Sequence, residues 1–152
     1  MSVAIAFHSA TESQAILDAA REEARKVDLR YAGDVTPPEA WYLFAHSNAL
    51  LVDVRTVEER ETVGYVPETP HVAWAKGAAM ERNPNFVREL ERIAGKLDVI
   101  LLLCRSGKRS VAAAEAVSRL GFKNVFNVTE GFEGEPGLGN GWRAHELPWV
   151  QD

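Results

Sequence analysis

Only one cysteine, Cys104, occurs among the 152 residues of the chain. A lone thiol cannot close an intramolecular disulfide, so no oxidising compartment is implied and the chain holds no resolving thiol. Long apolar runs are missing too: no stretch approaches the roughly 20 residues that cross a bilayer. Met1 to His8 carries no basic leader, and Glu12, Asp18, Glu22 and Glu23 follow at once. A secretory or acid-poor transit segment is therefore not expected, and the cytosol is the expected location. Basic excess is also lacking, because a formal charge of −5 offers no overall attraction to nucleic acid or an anionic membrane. The histidines His8, His46, His71 and His145 fit no zinc spacing, so neither a metal nor another cofactor is expected.

What is present is the composition of a soluble globular protein, 46% apolar and 26% charged, at a length that suits one compact domain. Thr11 to Val27 reads as a helix with Ile16, Ala20, Ala24 and Val27 near one face. That stripe is weak and alanine-rich, as in a helix that docks on something larger. Tyr31 to Asp34 reads as a linker, which places a helical extension at residues 1–33 and the main domain at 34–152. A second helix starts at Thr36, with Pro37 in its first turn and Glu39 as capping-box partner, and runs through Ala40 to His46.

Strands then alternate with helices. Ala49 to Val54 is an apolar run ended by a charge, the pattern of a strand buried on both faces. Val57 to Thr62 is a short charged helix, His71 to Ala75 a strand, and Asn83 to Ile93 a helix with Phe86, Leu90 and Ile93 at core spacing. Val99 to Leu103 is the strongest strand signal, and it leads directly into Cys104. A helix from about Arg109 to Leu120 follows, closed by Gly121, then a strand from Asn124 to Val128. This order predicts an α/β domain whose mostly parallel sheet is covered on both faces. The glycine-rich tail from Gly131 to Gly141 lacks phosphate-loop spacing and reads as a surface loop, with Asn140 to Leu147 as a short closing helix.

The chemistry concentrates in Cys104-Arg105-Ser106-Gly107-Lys108-Arg109-Ser110, between the best strand and a well-marked helix. Ligands of open parallel sheets bind beyond the carboxyl ends of the strands. Gly107 lets the loop curl so that its N–H groups converge, the helix adds the positive end of its dipole, and Arg105, Lys108 and Arg109 add charge. Such surroundings favour a thiolate over a thiol and attract an anionic substrate.

These residues, with Leu51-Val52-Asp53-Val54-Arg55, Glu58 and Gly64-Tyr65-Val66-Pro67, resemble the rhodanese domain over about Thr36 to Trp149. The resemblance implies a rhodanese-like three-layer fold and a single-domain sulfurtransferase. In that family the cysteine of the C-R-S-G-x-R-S loop takes a sulfane sulfur from a donor, commonly thiosulfate, and passes it from a persulfide to cyanide or a thiol. It implies Cys104 as sulfur carrier, with Arg105 to Arg109 as the cradle and Ser110 among the substrate-binding residues of the same loop. Asp53 and Arg55 match the family's D-V-R at a strand end; Arg55 either shapes the pocket or pairs with Glu58 or Asp53. Where the family has G-H-I-P-G, Tyr65 replaces the histidine and Glu68 the turn glycine, so a different local turn is expected. His71 stands nearby.

Two other classes compete. A cysteine phosphatase or arsenate reductase would use a similar nest, but the phosphatase pattern puts arginine six positions after cysteine, where this chain has Ser110. Arsenate reduction through an internal disulfide needs a second cysteine. A persulfide carrier or regulatory module is the other class, with a protein sulfur acceptor as partner. The N-terminal helix with Trp142 and Trp149 would then supply a docking or homodimer surface, against the alternative that both tryptophans pack the tail onto the sheet.

Overall fold

The computed structural model describes residues 3–152, with side chains described from Ala10 onward. Four strands form a parallel sheet in the order β1 (Gly33–Val35), β6 (Val125–Val128), β5 (Ile100–Leu103) and β2 (Leu50–Asp53). Side chains of a strand alternate between faces, and the β5 run divides accordingly. Ile100, Leu102 and Cys104 enter one core with Phe86 and Leu90 of α4 (Phe86–Glu91) and with Ala113, Ala114 and Val117 of α5 (Lys108–Arg119). Leu101 and Leu103 enter the other with Ala40 and Leu43 of α2 (Pro37–His46), Phe132 and Trp142. Helices thus flank a central parallel sheet, as the alternation of elements predicts.

The capping box at Thr36 and Glu39 is present, and a second joins Thr56 to Glu59 at the start of α3 (Val57–Val63). The long helix α1 (Val3–Lys26) begins earlier than its periodicity suggests. It packs Ile16, Leu17 and Ala20 against the second core, while Val27 lies beyond its end and is exposed. Arg21 lies over the Phe126 ring and bonds Asn124. A docked helix, not a free arm, precedes the sheet.

Four local expectations change. Tyr31 to Asp34 is not a linker, because Gly33 to Val35 is recruited by the open edge of β6. The strand expected at His71 to Ala75 reduces to β3 (Ala75–Lys76), paired with β4 (Glu81–Arg82). His71 and Val72 instead run beside β2, with Val72 N–H bonded to Asp53 O and Trp74 N–H to Val54 O. The helix around Phe86 is shorter than read and leaves Ile93 exposed. Asn140 to Leu147 forms turns, not a helix, because its one glycine, Gly141, takes φ 109° in close approach to Gly134, its N–H reaches Glu130, and Trp142 Nε1 donates to Pro148 O.

Candidate active site

Cys104 follows the last residue of β5, and its sulfur lies beneath the loop with the residue only 1% exposed. The Gly107 N–H points at Sγ from 3.1 Å, and Ser110 Oγ lies 3.2 Å away. Gly107 makes this turn possible: it adopts φ 97°, in the left-handed region that side chains avoid, and serves as N-cap of α5. The sulfur therefore sits at the positive end of a twelve-residue helix.

The loop is braced from behind. Phe132 N–H bonds Cys104 O at 2.8 Å and Glu133 N–H bonds Arg105 O at 2.9 Å. Gly131 allows that approach, since a Cβ there would stand 2.4–2.5 Å from Arg105 C and O and Ser106 N. Beside it Glu130 takes φ 68° and accepts hydrogen bonds from Gly141 N–H and His145.

The three cations of the loop have different surroundings. Arg109 turns away from the solvent and forms a bidentate pair with Glu59, at 2.7 and 2.8 Å. Burial acts to raise the Glu59 pKa, but hydrogen bonds from Arg109 and Thr56 and the charge of Arg109 outweigh it and bring it to about 2. The same pair raises the Arg109 pKa above its ordinary value against the opposing effect of burial, and a thiolate at Cys104 acts in the same direction as Glu59. Arg109 thus lies within electrostatic reach of the sulfur with its own charge already matched. Arg105 is exposed and 3.3 Å from Glu133, and Lys108 is exposed at the rim. Ser106, Gly107 and Lys108 line an open cleft of about 550 Å³ with Asn127, Thr129 and Glu130.

Asp53 and Arg55 make a buried structural unit. Arg55 Nε and Nη2 reach the Asp53 carboxylate, Nη2 also donates to Gly64 O at 2.7 Å, and the guanidinium lies 4.3 Å from the Phe132 ring centroid. Arg60 adds a further bond to Asp53 at 2.9 Å. Arg55 therefore pairs with Asp53, not with Glu58. His71 Nε2 lies 2.6 Å from Arg55 O and so braces the same strand end. The turn after Pro67 does not avoid the glycine conformation, because Glu68 itself adopts φ 64°. Tyr65, where the family has a histidine, faces Arg60 and bridges to Val150. Trp142 is fully buried and Trp149 lies edge-on to Phe132, so both pack the tail onto the domain.

Sequence reading missed the residues that hold the site from outside the loop. Glu59 carried a signal, the Thr56-to-Glu59 capping spacing. Asn127, Asp34 and Tyr31 carried none. They form a chain in which Ser110 Oγ–H donates to Asn127 Oδ1, Asn127 Nδ2 to Asp34 Oδ1 at 3.1 Å, and Tyr31 O–H to the same oxygen at 2.8 Å.

Comparison with known proteins agrees with this architecture. A model of the rhodanese-like domain matches residues 36–134. The Rickettsia prowazekii protein RP600 is 40% identical over 109 residues, covering 70% of this chain and 87% of that one. The crystal structure of Rv0390 from M. tuberculosis superposes with a TM-score of 0.73 at 38% identity, covering 80% of this chain and 99% of the other. The Rhodopseudomonas palustris protein RPA3614, described as a possible tyrosine phosphatase, shares the fold at 22% identity and a TM-score of 0.53, covering 91% of this chain and 93% of that one. With the matched segment spanning every element from α2 to the turn that braces Cys104, the chain belongs to the rhodanese-like domain family.

Proposed function

We propose that this protein is a sulfurtransferase in which Cys104 carries sulfane sulfur as a persulfide. The observation that carries the reading is the setting of Cys104 Sγ: at the end of β5, under the N-terminus of α5, with Gly107 N–H directed at it. In the first half-reaction the Cys104 thiolate attacks the outer sulfur of a donor such as thiosulfate. A new S–S bond forms, the donor's own S–S bond breaks, and its electron pair leaves with sulfite. In the second, an acceptor thiolate or cyanide attacks the terminal sulfur, and Cys104 departs as thiolate. Charge and atoms balance in both steps without a redox partner.

An anionic donor suits a rim where Arg105 and Lys108 are exposed, while Arg109, bound to Glu59, holds the loop in shape. The acceptor must come from outside, since the chain has no second thiol. A protein acceptor is the second reading: the Bacillus subtilis protein YrkF, named as a putative sulfur carrier, is 33% identical over 81 residues, covering 53% of this chain and 38% of that one.

The test is mass spectrometry after incubation with thiosulfate. The expected result is one added sulfur on Cys104 with release of sulfite, discharged by cyanide or a thiol, and neither event in Cys104→Ser. Full sulfite release by that variant would overturn the assignment. Hydrolysis of an aryl phosphate above background would point to phosphatase chemistry instead.

A further inference from the structure

The polar chain behind Cys104 has a direction, and the direction follows from counting hydrogens. A carboxylate has none to give, so the Asn127 amide must present Nδ2 to Asp34. The Tyr31 hydroxyl also gives its hydrogen to Asp34, and burial, then that hydrogen bond and the Asp34 charge, hold the Tyr31 pKa well above the ordinary phenol value. With Nδ2 committed, Asn127 turns Oδ1 toward Ser110, whose single hydroxyl hydrogen is thereby taken. Ser110 Oγ is left with lone pairs facing Cys104 Sγ, an arrangement that accepts a hydrogen from a thiol and gives none to a thiolate.

We propose that Asp34 is a positioning residue for Cys104: through Asn127 it withholds the Ser110 hydroxyl hydrogen from Sγ, against the Gly107 N–H that is directed at the same sulfur. When Cys104 ionises, its proton leaves to solvent. The Ser110 hydroxyl hydrogen then rotates from Asn127 Oδ1 to Sγ, so each ionisation breaks one bond of the chain as it makes another. The exposed position of Asp34 on β1 opens this buried chain to the surface. The proposal deepens the sulfurtransferase reading and rests on Cys104 being its nucleophile. Its readout, however, is the ionisation of the free thiol, which needs no sulfur donor.

Other charges lie on every element packed around the sulfur. Arg109 is paired with Glu59, and Asp53 with Arg55 and Arg60; Arg105 and Lys108 occupy the rim, and Glu130, Glu133 and His145 the bracing turns. Glu115 acts on Tyr31 from α5, and His71 contacts the Arg55 carbonyl. All of these stay constant across the variants that test the proposal.

The experiment is the rate of alkylation by iodoacetamide as a function of pH, on the full chain, in a double-mutant cycle of Asp34→Ala and Ser110→Ala. Removing the Asp34 carboxylate frees the Asn127 amide to turn and offer Nδ2 to Ser110, which can then donate to Sγ. The expected result is a midpoint moved to lower pH, with alkylation below the native midpoint faster by about threefold or more. In the Ser110→Ala background the same Asp34→Ala change should have no effect. An equal shift in both backgrounds would mean that Asp34 acts through its field alone and would overturn the proposal, as would no shift in either. Sulfur loading from thiosulfate, measured separately on the native chain, fails only if the sulfurtransferase reading fails.

Discussion

Glu59 serves two structures at once. Its carboxylate accepts from Thr56 at the start of α3 and from Arg109 at the start of α5, so it ties the N-termini of these two helices together. Charge-assisted bidentate bonds of this kind hold geometry better than a point contact, which a lysine would offer. The folded pKa of about 2 lies below the ordinary 4.5, so the carboxylate adds stability that is fully present above about pH 4.5. That stability is lost as pH falls through 2. Glu59→Gln should therefore lower the urea midpoint at neutral pH. The gap to the native protein should narrow steadily below about pH 4.5 and close near pH 2. A gap that stays constant over that range would show that the amide keeps the bonds or that the carboxylate contributes nothing.

The element that most constrains Cys104 is the turn after β6, not the loop itself. Backbone bonds from Phe132 and Glu133 grip the two residues at the start of the loop, and Gly131 is the point of closest approach. In Gly131→Ala the new Cβ would meet main-chain atoms that cannot move aside, and its φ of 70° adds strain. A loss of about 2 kcal/mol or more is expected, with slower sulfur loading of Cys104. Gly137→Ala is the comparison: at φ 79° with nothing within 4 Å of its Cβ, it should cost only the strain, about 1 kcal/mol, and spare the site. Equal losses in urea titrations would show that strain, and not contact with the loop, governs both. The contrast also explains which parts of the molecule were legible. The run Val99 to Leu103 declares itself by composition, and the loop after it by residue type, because both are local. The brace is not local. Gly131 looks like any other glycine of the tail until the chain folds back to Arg105. Arg109 and Glu59 are 50 positions apart, and Asn127 and Asp34 93 apart, so no spacing in the sequence joins them.

At the scale of the whole molecule, β1 shows the same thing. Gly33-Asp34-Val35 has weak strand character on its own, since glycine and aspartate are both poor strand formers. It becomes a strand because β6 offers an open parallel edge and because α1 covers it from the second core. No helix among the described residues is long and apolar enough to cross a membrane, and α1 earns its place by packing on the sheet. Its contact with β1 is close: a Cβ on Gly33 would stand 2.7 Å from Ala20 O and 2.9 Å from Ala20 C. Gly33→Ala must therefore push α1 outward or shift β1. Overpacking of this kind costs about 1–3 kcal/mol, and the weaker of the two attachments gives way first. The helix is the weaker, since β1 is held by its ladder to β6 and by Thr129 N–H on Val35 O. Limited trypsin digestion should thus cut at Arg25 and Lys26 faster in the variant than in the native chain, leaving a folded remainder. Sulfur loading of Cys104 should be nearly unchanged, because the contacts of α1 at Gly33, Asn124 and Phe126 lie outside the loop and the backbone bonds that brace it. If loading falls in step with cleavage, the displacement has passed through β1 to Asp34, and α1 is then coupled to the thiol through the strand it covers.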